Sequence, residues 1–170
     1  MSDNAAELGL GQVLRKQLQA LLNGGQAHTS FEGAVKDFPA NLRGVVPQGL
    51  PYSAWQIVEH IRIAQRDIHD FSNNSDGSYK PHKWPDEYWP KNAEPPSPNA
   101  WEQSIQHVRD DRKAFEELLK TVDDATLVMT FAWADDQQSL LHEAFLIADH
   151  TAYHTGELIV LRRLLGAWKK

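Results

Sequence analysis

The sequence predicts an all-α protein, a four-helix bundle formed by one domain that takes in residues 1–170. Three observations carry this prediction. A length of 170 residues fits a single domain. Four segments repeat apolar residues at the spacing of a helix, and a stretch rich in proline and aromatic residues separates the second segment from the third. Four long helices in one domain of this size are typical of a bundle.

The first helix is expected to begin at Asn4 and to end at Gly24–Gly25. Asn4 is a favourable N-cap residue, and Glu7 lies three positions later, which is the spacing of a capping box. Glycine directly after the last apolar residue is a typical helix end. A short amphipathic segment over residues 30–38 is expected to follow.

The second long helix is expected to begin at Ser53, where Gln56 completes another capping box, and to run to Phe71. Residues 72–99 then interrupt the helical pattern, because their prolines exclude both a long helix and a central strand. The same segment carries tyrosine and tryptophan residues, which are too apolar for a solvated linker. We therefore predict a long aromatic and proline-rich loop, packed against the protein, between the second and third helices.

The third long helix should begin where Ser97 is followed by Pro98, because this pair has the form of an N-cap and a first helical residue. It is expected to end near Thr121. Residues 126–133 are rich in apolar and β-branched side chains and could form an extended piece. The last long helix is expected over residues 139–166, where a serine cap begins it and a glycine ends it.

Two histidines of the last helix are the strongest candidates for a functional site. His150 and His154 lie four residues apart on the inward stripe of this helix, so both imidazoles point in one direction from successive turns. A divalent metal requires this geometry from a helix. The alternative is a pair of buried histidines that are satisfied by hydrogen bonds alone.

The second long helix supplies a third imidazole, His60, beside its main apolar stripe. Together with the pair on the last helix, His60 would complete a three-histidine site whose remaining positions are open to water. Three protein ligands plus water are typical of catalytic metal sites. Asp67 of the second helix could orient a ligand imidazole that comes from another helix, and His28 could close the site as a fourth ligand.

The remaining histidines lie away from this face, in the loop or on outward helix positions. They are His69, His82, His107 and His142.

The histidine-bearing segments resemble the DinB/YfiT-like superfamily. The resemblance rests on residues 53–65 (SAWQIVEHIRIAQ), on residues 149–166 (DHTAYHTGELIVLRRLLG) and on residues 24–39 of the N-terminal part. It implies a four-helix bundle with a divalent metal held at the positions of His60, His150 and His154. Glu157 departs from the pattern, because glutamine is more usual there.

The resemblance also implies an activity class and an assembly. Related proteins are metal-dependent hydrolases or thiol S-transferases and are often homodimers, so we expect a small-molecule substrate that includes thiols as one class. Zinc or nickel is the favoured metal, although three imidazoles also suit cobalt, iron and copper. The alternative function is a non-catalytic binding or sensor module in which the metal only stabilises the fold.

Charge and composition restrict the partners. The formal net charge is −6, which lacks the basic surface that nucleic-acid binding needs. No apolar run approaches the length of a membrane span, and the polar N-terminus does not resemble a signal peptide, so a cytoplasmic location is expected. The chain contains no cysteine, which excludes disulfides and thiolate metal ligands.

Overall fold

The computed structural model describes residues 9–134 and 137–168. Within this part of the chain all regular structure is helical and no β-strand occurs, which confirms the predicted all-α class. The six α-helices are α1 (Leu10–Asn23), α2 (Phe31–Val35), α3 (Ala54–Ser72), α4 (Ala100–Thr121), α5 (Asp124–Val128) and α6 (Leu140–Leu164), and a short 3-10 helix covers Ala40–Leu42.

The ends of α1 and α3 follow from their capping residues. The predicted start of the first helix at Asn4, with Glu7, lies outside the described residues, whereas Gly24 follows α1 with a positive φ of 67°, as a glycine stop requires. At α3 the predicted capping box is present. The Ser53 hydroxyl accepts the Gln56 N–H at 3.2 Å, and the Gln56 side chain accepts the Ser53 N–H at 3.1 Å.

The third long helix begins later than the sequence predicts. α4 starts at Ala100 with Asn99 as its N-cap, because residues 97–100 form a turn in which the Ala100 N–H bonds to the Ser97 carbonyl at 3.2 Å. The predicted N-cap at Ser97 with Pro98 as the first helical residue is therefore wrong by two residues. The predicted end at Thr121 is correct.

The extended piece predicted over residues 126–133 is wrong for its first half. Thr126 and the next two residues belong to α5, because the Asp123 carboxylate accepts the Thr126 N–H at 2.7 Å and so caps a short helix. Only Thr130 has a strand-like contact, an isolated antiparallel bridge to Ser139. Ser139 also caps α6, as predicted, through a bond from the His142 N–H.

The four long helices pack around two apolar clusters. α3 contacts α4 and α6, while α1 contacts α4 and α6. One cluster joins α2, α3, α4 and α6 and contains Trp55 and Trp101. The other cluster joins α1, α4, α5 and α6 around Phe115 and Leu119. α3 and α6, which carry the candidate histidines, are therefore direct neighbours.

Among the described helices, none combines the length and the apolar character that crossing a membrane would demand.

Candidate metal centre

His60 of α3 meets His150 and His154 of α6 at the interface between the two helices. One ring nitrogen from each residue lies within 4.8 Å of the other two, and the Nε2 atoms of His60 and His150 are 3.0 Å apart. The sequence placed these three residues at one site, and the structure brings them together. The arrangement follows from the packing of α3 on α6, because His150 and His154 occupy successive turns of the face that α3 covers.

A backbone carbonyl orients His60. Its Nδ1–H donates to the carbonyl oxygen of Tyr88 at 2.9 Å, so that the lone pair on Nε2 points toward the other two histidines. The indole ring of Trp89 stacks on the imidazole at a centroid distance of 3.8 Å and an angle of 9°. Tyr52 stacks on the other face of Trp89 at 3.8 Å. The loop before α4 therefore fixes both the tautomer and the plane of His60.

Asp67 contributes to this arrangement through the loop and not through an imidazole. Its carboxylate accepts the Tyr88 hydroxyl at 2.5 Å and the Tyr79 hydroxyl at 3.0 Å. The expectation that Asp67 orients a ligand histidine directly is therefore wrong. Because Tyr88 binds Asp67 with its hydroxyl and His60 with its carbonyl, one residue connects the carboxylate to the imidazole.

The loop is attached to α3 at further points. The Ser53 hydroxyl donates to the carbonyl of Ala93 at 2.5 Å, and the Gln56 side-chain amide donates to the carbonyl of Pro90 at 2.9 Å. Ser53, Gln56, His60 and Asp67 recur at intervals of three, four and seven residues, so they follow one face of α3. This single helix face both carries a site histidine and holds the loop over it.

Glu157 holds the other side of the site. Its Oε2 lies 2.6 Å from Nδ1 of His154, close enough for that nitrogen to donate its proton to the carboxylate. The proton on Nδ1 leaves Nε2 of His154 as the free acceptor. The departure from the usual glutamine at this position thus places a carboxylate behind a site histidine, where it favours the metal-binding tautomer.

Burial keeps the three imidazoles neutral. Burial, together with the neighbouring charges of His154 and His60, lowers the pKa of His150 to about 3. Burial and the charge of His60 lower the pKa of His154 to about 4. Burial also lowers the pKa of His60, although its hydrogen bond to the Tyr88 carbonyl acts in the opposite direction. Neutral imidazoles are the form that binds a metal.

These residues fit a divalent metal. The lone pairs of His60 and His154 are directed inward by their Nδ1–H donors, and Nε2 of His150 approaches that of His60 at 3.0 Å. Two acceptor lone pairs at this distance repel unless a proton or a cation lies between them. A metal bound by the three nitrogens would satisfy the lone pairs of all three histidines, whereas a shared proton would satisfy only those of His60 and His150.

His28 lies apart from this group, so it does not close the site as a fourth ligand. It is exposed and lines a different cleft, and its Nδ1 contacts the carbonyl of Thr29. Among the other histidines, His69 pairs with Asp70, and His82, His107 and His142 are exposed. Within residues 9–134 and 137–168, the three-histidine group therefore contains none of them.

The loop residues Tyr88 and Trp89 were not identified as site residues from the sequence. The concentration of aromatic residues in this loop predicted that it packs against the protein. It did not reveal that a backbone carbonyl binds an imidazole, because a carbonyl group is present at every position.

The described residues therefore form a helical protein in which two neighbouring helices bring three histidines together. Comparison with protein families identifies the family: a sequence model of the DinB superfamily matches residues 25–158, and the chain belongs to that superfamily. The matched region contains all three site histidines. No curated protein and no solved structure gave a match to the chain.

Removing the Asp67 carboxylate should weaken metal binding, although Asp67 does not contact a site histidine directly. We expect Asp67→Ala to lower the affinity for Zn²⁺ by about 10- to 100-fold, because the Tyr88 carbonyl is then less firmly held against His60. Competition with a chromophoric chelator measures the affinity. Asp67→Asn retains one hydrogen-bond acceptor, so its affinity for Zn²⁺ should lie between those of Asp67→Ala and the unchanged protein. Asp70→Ala, one turn away on the same helix and outside the loop contacts, should match the unchanged protein; equal affinities for all four proteins would contradict this role.

Acid should destabilise the metal-free protein through the histidines. The pKa values of about 3 for His150 and about 4 for His154 lie below the ordinary value of 6.5. The unfolded chain therefore takes up protons first as the pH falls below 6.5, and the free energy of unfolding decreases until the folded chain also protonates. Each histidine contributes at most about 1.4 kcal/mol per pH unit.

Urea denaturation in the presence of a chelator, at a series of pH values, measures this effect. His150→Ala should show a shallower decrease between neutral and mildly acidic pH than the unchanged protein. His107→Ala removes an exposed histidine and should show the full decrease. A His150→Ala slope equal to that of the unchanged protein would refute the assignment.

Proposed function

We propose that this member of the DinB superfamily is a divalent-metal-dependent enzyme, a hydrolase or a thiol S-transferase built on a four-helix bundle. The observation that carries the proposal is the convergence of one nitrogen from each of His60, His150 and His154 within 4.8 Å. These residues would be the metal ligands. Zinc and nickel are the favoured ions, because both accept three imidazoles and leave positions for other ligands.

A bound metal of this kind would lower the pKa of a coordinated water to the neutral range and would deprotonate a coordinated thiol. The residues of the chain have separate tasks around it. His60 and His154 present neutral Nε2 atoms because Tyr88 and Glu157 accept their Nδ1 protons. The stacked ring of Trp89 excludes water from one side of His60. Rigid ligands of this type preorganise a site before the substrate arrives.

An apolar hollow beside the site supports a small-molecule substrate. It has a volume of about 280 Å³ and is lined by Tyr52, Ile57, Gly156, Val160 and their neighbours, with Glu157 as its charged residue. Glu157 also contacts His154, so the hollow and the histidine group share a wall. A substrate whose reacting atom binds the metal could place an apolar substituent there.

The number of protein ligands separates an enzyme from a metal that only stabilises the fold. A structural zinc site is usually closed by four protein ligands. The fourth candidate, His28, is exposed and lies elsewhere. Three ligands favour the catalytic interpretation over the sensor or structural module. A cytoplasmic location remains a prediction from the sequence.

Substitution of one ligand tests the site. Protein purified without a histidine tag is expected to carry about one divalent ion per chain, and His154→Ala should abolish tight binding because it removes one of two ligands on α6. Elemental analysis measures the metal, and circular dichroism checks that the helices remain, as alanine favours helix. His107→Ala should keep the full metal content. Metal retained by His154→Ala, or lost from His107→Ala, would show that other residues bind it.

We further propose a homodimer. α6 exposes Phe145, Leu146, Tyr153, Val160 and Leu164 to solvent, each by at least 40%, and an apolar surface of this kind commonly lies in an interface. Light scattering should therefore return about twice the chain mass of 19.3 kDa. Leu146→Lys should shift the protein toward monomer, whereas Val128→Lys on α5 should not. A monomer mass over a wide concentration range would disprove the dimer.

A further inference from the structure

A second cleft lies on the side of α6 that faces away from the histidine group. Its volume is about 440 Å³, and it is bounded by the end of α1, the segment before α2, and α6. Ala152 of this cleft is two residues from both His150 and His154, and two residues turn a helix by about 200°. The cleft is therefore separate from the candidate metal centre.

The walls of this cleft are mainly apolar. Leu21 and Leu22 come from α1, Phe31 comes from α2, and Phe145 and Ala148 come from α6. A volume of this size is within the range of small-molecule sites. The walls would bury an aliphatic or aromatic group of moderate size.

One cation lines the same cleft with unused hydrogen-bonding capacity. The Arg112 side chain is only 14% exposed, and its contact with Glu32 is long, at 3.4 Å. Arg109 binds the same carboxylate at 2.6 Å and satisfies it from outside the cleft. A guanidinium group has five N–H donors, so Arg112 can bind a further carboxylate.

A buried hydroxyl at the cleft is a second and independent observation. Thr155 lines the cleft and is 1% exposed, and its Oγ1 has no hydrogen-bond partner among the described residues. Buried polar atoms without a partner are rare in folded proteins, and a missing ligand is one explanation. Rotation of the threonine side chain would present this hydroxyl to a bound molecule.

We infer that this cleft binds a small apolar carboxylate, a monoanion whose hydrocarbon part fills the space between α1 and α6. Its carboxylate pairs with Arg112, and the Thr155 hydroxyl supplies an additional hydrogen bond. Asp149, which is exposed and also lines the cleft, adds a negative charge. This charge disfavours dicarboxylates and limits the ligand to one carboxylate group.

Titration calorimetry with octanoate tests the assignment on the full-length protein. Octanoate should bind, and Arg112→Gln should weaken binding by about 10- to 100-fold, as expected for a lost hydrogen bond to a charged group. Octanol and octylamine should bind more weakly than octanoate by a similar factor. Arg62→Gln is the control, because it removes a partly buried arginine that pairs with Glu59 and does not line this cleft; it should retain the octanoate affinity.

Two further variants distinguish a ligand contact from a structural effect. Thr155→Val should lower the octanoate affinity while raising the melting temperature of the ligand-free protein, because it removes an unsatisfied buried hydroxyl. Asp149→Asn should raise the affinity. His154→Ala should bind octanoate as the unchanged protein does, so the result is independent of the metal centre.

Several results would overturn the inference. These are no binding of octanoate, equal binding of octanol, or equal losses in Arg112→Gln and Arg62→Gln. A second copy of the chain is the competing occupant of this cleft. Two results together would reveal a dimer formed through this cleft. Ala152→Leu would convert the dimer to a monomer in light scattering, and octanoate would bind only to the monomeric form of the protein.

Discussion

The hydrogen bond from His60 to the Tyr88 carbonyl is the interaction on which the candidate site depends. A buried imidazole needs a partner for its N–H group, and α3 alone offers none, since its own carbonyls are used within the helix. The loop between α3 and α4 supplies the partner at 2.9 Å. The loop must therefore be in place before His60 can present its free nitrogen to His150 and His154.

Ordering this loop has a high entropic cost, and α3 offsets it with side-chain contacts. Residues 73–99 contain no regular helix, and each ordered residue costs about 1–2 kcal/mol of backbone entropy. Ser53 and Gln56 bind loop carbonyls, and Asp67 binds two loop hydroxyls. The stack of Trp89 between His60 and Tyr52 adds buried aromatic area. Site geometry and loop order thus arise from the same few contacts.

The sequence predicted those features of the structure that depend on helical periodicity and on capping residues. The capping box at Ser53, the cap at Ser139 and the convergence of three histidines all follow from residue type and helical spacing. The start of α4 and the helical state of Thr126 could not be predicted in this way, because a turn at residues 97–100 and a cap at Asp123 compete with the local pattern. The link from Asp67 to His60 passes through Tyr88, and only the folded loop creates it.

Several distinct surfaces of the protein lie on the single helix α6. Its apolar residues are distributed around the whole helix and are interleaved with polar ones, whereas an ordinary surface helix has a continuous polar face. Ile147 and Leu158 face the core, His150 and His154 face α3, and Ala148 and Thr155 face the cleft beside α1. Each residue turns the helix by 100°, so these three sets diverge around the axis although they interleave in sequence. The sequence of α6 therefore lacks a clear polar face because this one helix contributes residues to the core, to the histidine group and to the cleft.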